Sequence, residues 1–199
     1  MGIAERKLRQ KEEIKSTILQ TAWELVKKEG WQALSIRKIA EAIEYSVPVI
    51  YDHFENKDAI LLEFTKQGFG LLFKKLEKAR SKFDDPASQL MAIANTYWDF
   101  AFRNKEYYQL MFGIGMACCE YETTAEMVNI RTMTQGIINQ IVGKNKAGDN
   151  HGCLKYHTFW SVLHGLISIK MMRKWDVSDE LNKLVLKDAV EGFIRNLKN

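Results

Sequence analysis

Residues 35–57, SIRKIAEAIEYSVPVIYDHFENK, constrain the fold of this chain more than any other stretch. Ser35 suits a helix N-cap, and Ile36, Ile39, Ala40 and Ile43 then recur at helical spacing, which gives one apolar face. Glu44 and Tyr45 leave that helix. Ser46 is placed to cap a second one, with Pro48 in its first turn, where a missing amide costs nothing. Ile50 and Phe54 fall on one side of this second helix, four residues apart. Val47, Pro48, Val49, Tyr51 and Asp52 are left facing outward, an odd surface for a helix that touches nothing. A helix that enters a DNA major groove with its N-terminal turn presents such a surface.

The rest of the chain reads as helix. Pro occurs only twice, and β-branched residues form no alternating runs. A first helix over about Lys11–Glu29 carries Ile14, Ile18, Ala22, Leu25 and Val26 on one stripe and stops at Gly30. The residues before it form a polar arm without the apolar centre of a signal peptide. Asn56 caps a long fourth helix from Lys57 to about Phe83, the alternative being two shorter helices broken near Gly68 and Gly70. Asp85-Pro86 starts a fifth helix, and Asn104 and Lys105 end it. A short sixth helix and a loose segment follow over 106–119. Further helices span about 124–142, 153–174 and 178–197, with a loop at 143–152. The expected fold is all-α, about nine helices. A three-helix helix-turn-helix domain over 1–55 precedes a second helical domain over 56–199.

Composition narrows the function classes. A hydrophobic content of 46% supports a real core. The net charge of +4 is mild, and residues 1–57 hold ten Lys or Arg against nine Asp or Glu, so charge alone does not announce nucleic acid. Three cysteines give no disulfide framework and fit a reducing cytoplasm. No apolar run approaches the roughly 18 residues of a membrane span.

The pattern Leu34-x-x-Arg37-x-Ile39-Ala40, then Ser46-x-Pro48-x-Ile50-Tyr51-x-His53-Phe54-x-Asn56-Lys57, resembles the DNA-binding domain of TetR-family transcriptional regulators. The resemblance covers about residues 10–65. One departure is Glu44, where the family usually has Gly. Gly suits a left-handed backbone there, and Glu costs roughly 1 kcal/mol more in that conformation. Trp160, His164 and Gly165 resemble the Trp-His-Gly signature of a subgroup of TetR-type C-terminal domains, and Gly165 is expected to let another helix approach closely.

The resemblance implies double-stranded DNA as partner, met by Ser35, Ile36, Arg37, Tyr45, Ser46, Val47, Pro48, Val49, Tyr51, His53 and Lys57. Tyr51 is implied to donate to a phosphate, the plain alternative being a half-buried core tyrosine. Lys57 in the first turn of the fourth helix opposes the helix dipole, and a docked phosphate would reverse that sign. His53 is either structural or phosphate-linked. Val47, Pro48 and Val49 can touch a thymine methyl but cannot make bidentate hydrogen bonds to guanine or adenine, so readout leans on methyl contacts, on Tyr45 or Tyr51, and on DNA shape. Lys38 is as readily a solvated surface residue as a backbone contact.

In the second half, the family encloses a small effector. The candidates are Trp98, Phe102, Met111, Phe112, Met116, Tyr121, Met127, Trp160 and His164, an aromatic and Met-rich set that suits an apolar ligand and equally a plain helical core. The last two helices are implied to pair with their copies in a homodimer, which doubles the base contacts against a palindromic operator. The function so implied is a cytoplasmic transcriptional regulator, a repressor released by an apolar effector. No enzyme, cofactor or resident metal is expected. The competing readings are a helical enzyme or metal-binding protein, for which only Cys153 and His157, four apart, speak, and an interaction module that does not bind DNA.

Overall fold

The computed structural model describes residues 2–113, 124–143, 149–172 and 178–198. Among them there are nine α-helices and one 3-10 turn, and no strand: α1 (Ile3–Glu29), the 3-10 turn (Trp31–Ala33), α2 (Ile36–Ala42), α3 (Val47–Tyr51), α4 (Lys57–Arg80), α5 (Pro86–Arg103), α6 (Lys105–Met111), α7 (Ala125–Val142), α8 (Asp149–Met172) and α9 (Asp179–Lys198). The chain divides into two compact units. The first takes residues up to Gln67 together with 106–113, and the second takes Gly68–Lys105 with the described residues beyond 123. The division on α4 thus falls at Gln67 and Gly68, some twelve residues past the boundary at 55/56 expected from the motif. α4 itself runs unbroken through Gly68 and Gly70.

The first unit is a reading head built on one apolar cluster. Ile18, Ala22 and Val26 of α1, Ile39 and Ala40 of α2, Ile50 of α3 and Ile60 and Phe64 of α4 are all buried in it. Aromatic rings close one side: Trp23 stacks on Tyr107 with centroids 4.3 Å apart, and Trp31 meets Phe64 edge-on at 5.5 Å. Leu110 of α6 belongs to the same cluster, and the Trp31 indole N–H donates to the Glu106 carbonyl at 2.8 Å. α6 is therefore part of the head although it lies far along the chain.

α1 begins at Ile3, eight residues before the expected start at Lys11. Residues 4–13 are all exposed, so no core burial holds that stretch. Ala, Glu, Arg, Lys, Leu and Gln are among the strongest helix formers, and the Glu5 carboxylate accepts the Gly2 N–H at 2.9 Å. Gly30 ends the helix with φ of 80°.

The turn between α2 and α3 is a Schellman motif. The Tyr45 N–H donates to the Ala40 carbonyl at 3.0 Å and the Glu44 N–H to that of Glu41 at 3.3 Å. This places Glu44 at φ of 59°, the left-handed region, where no other described non-glycine residue lies. Glu44→Gly is expected to raise the stability of the head by about 1 kcal/mol, read as a shift of the urea midpoint at unchanged slope. No shift would mean that the turn is unstrained.

In the second unit α5, α7, α8 and α9 pack pairwise on one another. Tyr97, Phe100, Ile138, Phe159, Leu163 and Val190 fill their core, and the rings of Phe159 and Phe193 join α8 to α9 at 5.4 Å. The Asp85 carboxylate caps α5 through the Ser88 N–H at 2.8 Å, and Thr124 caps α7 through that of Met127 at 3.2 Å. At Gly152 an added Cβ would meet the side-chain amide of Asn139 on α7. At Gly165 nothing lies within 4 Å of that position, so its expected close approach is not made within the described chain.

Candidate nucleic-acid interface

α2 is set on the head by its own cap: Ser35 Oγ accepts the Lys38 N–H at 3.2 Å, and the Ile36 side chain is only 9% exposed. Ile36 is thus a core residue. Arg37 points away from the core and donates to Glu41 at 2.8 Å, both side chains well exposed. A pair so open to water is worth little, so the guanidinium can exchange its partner for a phosphate. Lys38 is held by Glu29 at 2.7 Å.

α3 has five residues. Pro48 sits in its first turn as expected, while the Ser46 side chain makes no capping bond and only its carbonyl is used, accepting the Val49 N–H at 3.0 Å. Ile50 and Phe54 are buried and hold the helix to the head. Val47, three residues before Ile50, shares that side and packs partly on the core, so it is less outward than the four-residue spacing alone implied. The bare surface is Tyr45, Ser46, Pro48 and Tyr51, with Val49 half-exposed; the two tyrosines are 47% and 52% exposed. His53 is half-buried, and its Nδ1 is enclosed without a hydrogen-bond partner.

Asn56 Oδ1 accepts the Ala59 N–H at 2.9 Å and opens α4. Lys57 then stands in the first turn with Nζ 3.4 Å from the Trp31 carbonyl. That long contact holds the ammonium beside the helix N-terminus rather than out in solvent. Sequence reasoning did not show it, because Trp31 and Lys57 are separated by α2 and α3.

The effector candidates fall into two groups. Met111 is buried and Phe112 half-buried in the first unit, where Phe112 meets the Tyr108 ring at 4.8 Å. In the second unit Trp98 is buried and touches Phe102 at 4.9 Å, while Met127 is half-buried in the first turn of α7. Lys170, missed in the sequence, lies over both rings, 5.2 Å from Trp98 and 4.9 Å from Phe102, and pairs with Asp179. Trp160 packs edge-on against Tyr97 at 4.5 Å, and its indole N–H is buried without a partner. Met116 and Tyr121 lie outside the described residues. An open groove of about 560 Å³ between α5 and α9 is lined by none of the candidates.

His164 Nδ1 lies 3.2 Å from the Tyr97 hydroxyl, which donates when that nitrogen is unprotonated. Burial holds the imidazole pKa below its ordinary 6.5, so the fold favours the neutral ring. The stabilisation is complete above pH 6.5 and is lost as pH falls from there towards the lowered value. Thermal melts from about pH 8 to about pH 5 are expected to show this decline, and His164→Asn to remove its share; an unchanged pH slope would place the histidine in water. Cys153, the metal or nucleophile candidate beside His157, receives the Arg131 guanidinium at 3.5 Å.

Residues 18–64 match the family model of bacterial regulatory proteins of the tetR family, and residues 90–187 match that of the tetracyclin repressor-like C-terminal domain. The second match includes Trp160, His164 and Gly165. The HTH-type transcriptional regulator YobS of Bacillus subtilis (strain 168) is 27% identical over 93 residues, 46% of this chain and 48% of YobS, so the chain spans about half the length of that relative. The fold is shared with a protein from Rhodococcus sp. RHA1 (TM-score 0.75, 22% identity, 93% of this chain and 95% of that one). It is shared also with the TetR-family transcriptional regulator PfmR of Thermus thermophilus (TM-score 0.63, 23% identity, 89% and 97%). The capped α2, the open α3 and these matches make the chain a DNA-binding, helix-turn-helix transcriptional regulator that belongs to the TetR family.

Proposed function

We propose that the protein acts as a cytoplasmic homodimeric repressor that holds a palindromic operator and releases it when a small, largely apolar effector binds. The observation that carries the DNA half of this reading is the bare surface at α3: Ile50 and Phe54 are buried while Tyr45, Pro48 and Tyr51 stand open. Ser35, Arg37, Ser46, Val49, His53 and Lys57 surround that surface in the sequence motif, with Ile36 and Val47 supporting it from the core side. The contacts are of two kinds: Arg37, Tyr51 and Lys57 to phosphates, and Tyr45, Pro48 and Val49 to base edges or methyl groups.

Pairing through α8 and α9 is supported by apolar side chains left in water on both. Leu154, Ile169 and Met172 of α8 and Leu181, Leu184 and Val185 of α9 are all exposed. A monomer rarely leaves so many large apolar groups on two adjoining helices. The open side of Gly165 leaves α8 accessible to a second copy.

For the effector, the supporting chemistry is the aromatic interior of the second unit, where Trp98, Phe102, Met127, Trp160 and His164 are candidate contacts. Release requires that the effector bind the operator-incompetent arrangement more tightly than the other.

The test is Lys57→Ala, followed by fluorescence anisotropy against a selected duplex over a range of salt. Affinity is expected to fall equally for all sequences, and the slope of log affinity on log salt to decrease by about one. An unchanged slope would remove Lys57 from the interface.

A further inference from the structure

Tyr156, Trp160 and His164 of α8 are four residues apart and share one side of the helix. Tyr97 of α5, fully buried, lies against this row: its ring meets Trp160 edge-on at 4.5 Å, and its hydroxyl is 3.2 Å from His164 Nδ1. The Tyr156 and Phe159 rings each lie 6.1 Å from that of Trp160. In this aromatic setting the Trp160 indole N–H is enclosed and has no partner. An indole N–H can only donate, so nothing but an acceptor satisfies it. A buried donor with no acceptor is rare in native folds and calls for a reason. A water molecule needs two or more polar partners, and the rings around the indole make it a poor host for one. The same row carries an uncommitted cation. The Arg131 guanidinium of α7 lies 5.8 Å over the Tyr156 ring and donates to Cys153 Sγ at 3.5 Å. It forms no ion pair with a carboxylate among the described residues.

We infer that the effector is a carboxylate with an apolar body, the carboxylate accepting the Trp160 N–H in the field of Arg131 and the body lying along the aromatic row of α8. The inference rests on the effector reading given above and narrows it to one chemical class. A hydrogen bond to an ionised acceptor is stronger than one between neutral groups, and a carboxylate taken out of water needs a cation beside it. Trp160 supplies the donor and Arg131 the cation. An ammonium offers the indole no acceptor and is repelled by Arg131. A plain hydrocarbon leaves the N–H as idle as before. The row, Tyr97 and Arg131 all belong to the second unit, so the site is complete within it.

The chain has five tryptophans, so a proton–nitrogen correlation spectrum resolves their indole N–H signals, and Trp160→Phe identifies that of Trp160. The probes are octanoate, decanoate and phenylacetate, each beside the amine of the same skeleton. At least one carboxylate is expected to move the Trp160 signal downfield in a saturable way, while its amine leaves the signal in place. Trp160→Phe and Arg131→Gln are each expected to weaken that carboxylate about tenfold by calorimetry. Arg131 is exposed, which keeps the second variant informative where Trp160→Phe fails to fold. A Trp160 signal that no carboxylate moves, or that the amines move equally, would overturn the inference, and so would unchanged affinity in both variants. Fluorescence anisotropy of a selected duplex is followed in parallel. Release by the amines with the Trp160 signal unmoved would overturn the carboxylate and leave the effector reading in place. A carboxylate bound at Trp160 with the duplex still held would confirm the site and overturn release as its consequence.

Discussion

Trp31→Ala is expected to cost the head about 3–5 kcal/mol, the range for truncating a buried large aromatic. Trp31 is 4% exposed and meets Trp23 at 5.9 Å and Phe64 at 5.5 Å. Its indole also donates to the Glu106 carbonyl and its own carbonyl receives Lys57. One side chain thus holds α6 against the 3-10 turn while its main chain steadies the first turn of α4. Trp31→Phe keeps most of the packing but leaves the Glu106 carbonyl without its indole donor, for a smaller loss of about 1–3 kcal/mol. Urea unfolding followed by circular dichroism separates the two. A loss below about 1 kcal/mol for Trp31→Ala would mean that the aromatic cluster does not hold the head together.

Tyr51→Glu is expected to weaken operator binding by at least about 100-fold, about 2.7 kcal/mol, while stability changes by no more than about 0.5 kcal/mol. The ring is 52% exposed, so little packing is lost. What changes is the sign of the proposed contact, since a carboxylate would face the phosphates to which the phenol is proposed to donate. Tyr51→Phe removes only the hydroxyl and should lose about tenfold or less. If Tyr51→Glu bound DNA like the unmodified protein, α3 would not be the surface that meets the duplex.

How much of this was readable from the chain alone depended on distance along it. The caps at Ser35, Asn56 and Asp85 are local events, each completed within three residues, and they stand where the pattern placed them. The strained Glu44 was legible for the same reason, because a turn between two short helices leaves few backbone conformations. The early start of α1 was not legible from periodicity, since Ala4 to Glu13 form a helix by propensity with no apolar stripe. Nor was the place of α6 in the head, which depends on Trp31 meeting Glu106 across 75 residues. Val47 turns partly inward because it lies three residues before Ile50, a relation that the four-residue spacing of Ile50 and Phe54 does not contain. Gly152 and Gly165 look alike in sequence, and the position of Asn139 tells them apart.

The most direct measurement is selection of bound duplexes from random DNA with the purified protein, followed by alignment of the enriched sites. Two open α3 helices related by a two-fold axis predict a palindrome whose half-sites lie one helical turn, about 34–36 Å, or a multiple of it apart. Enrichment of a single asymmetric site, or of none, would contradict the account.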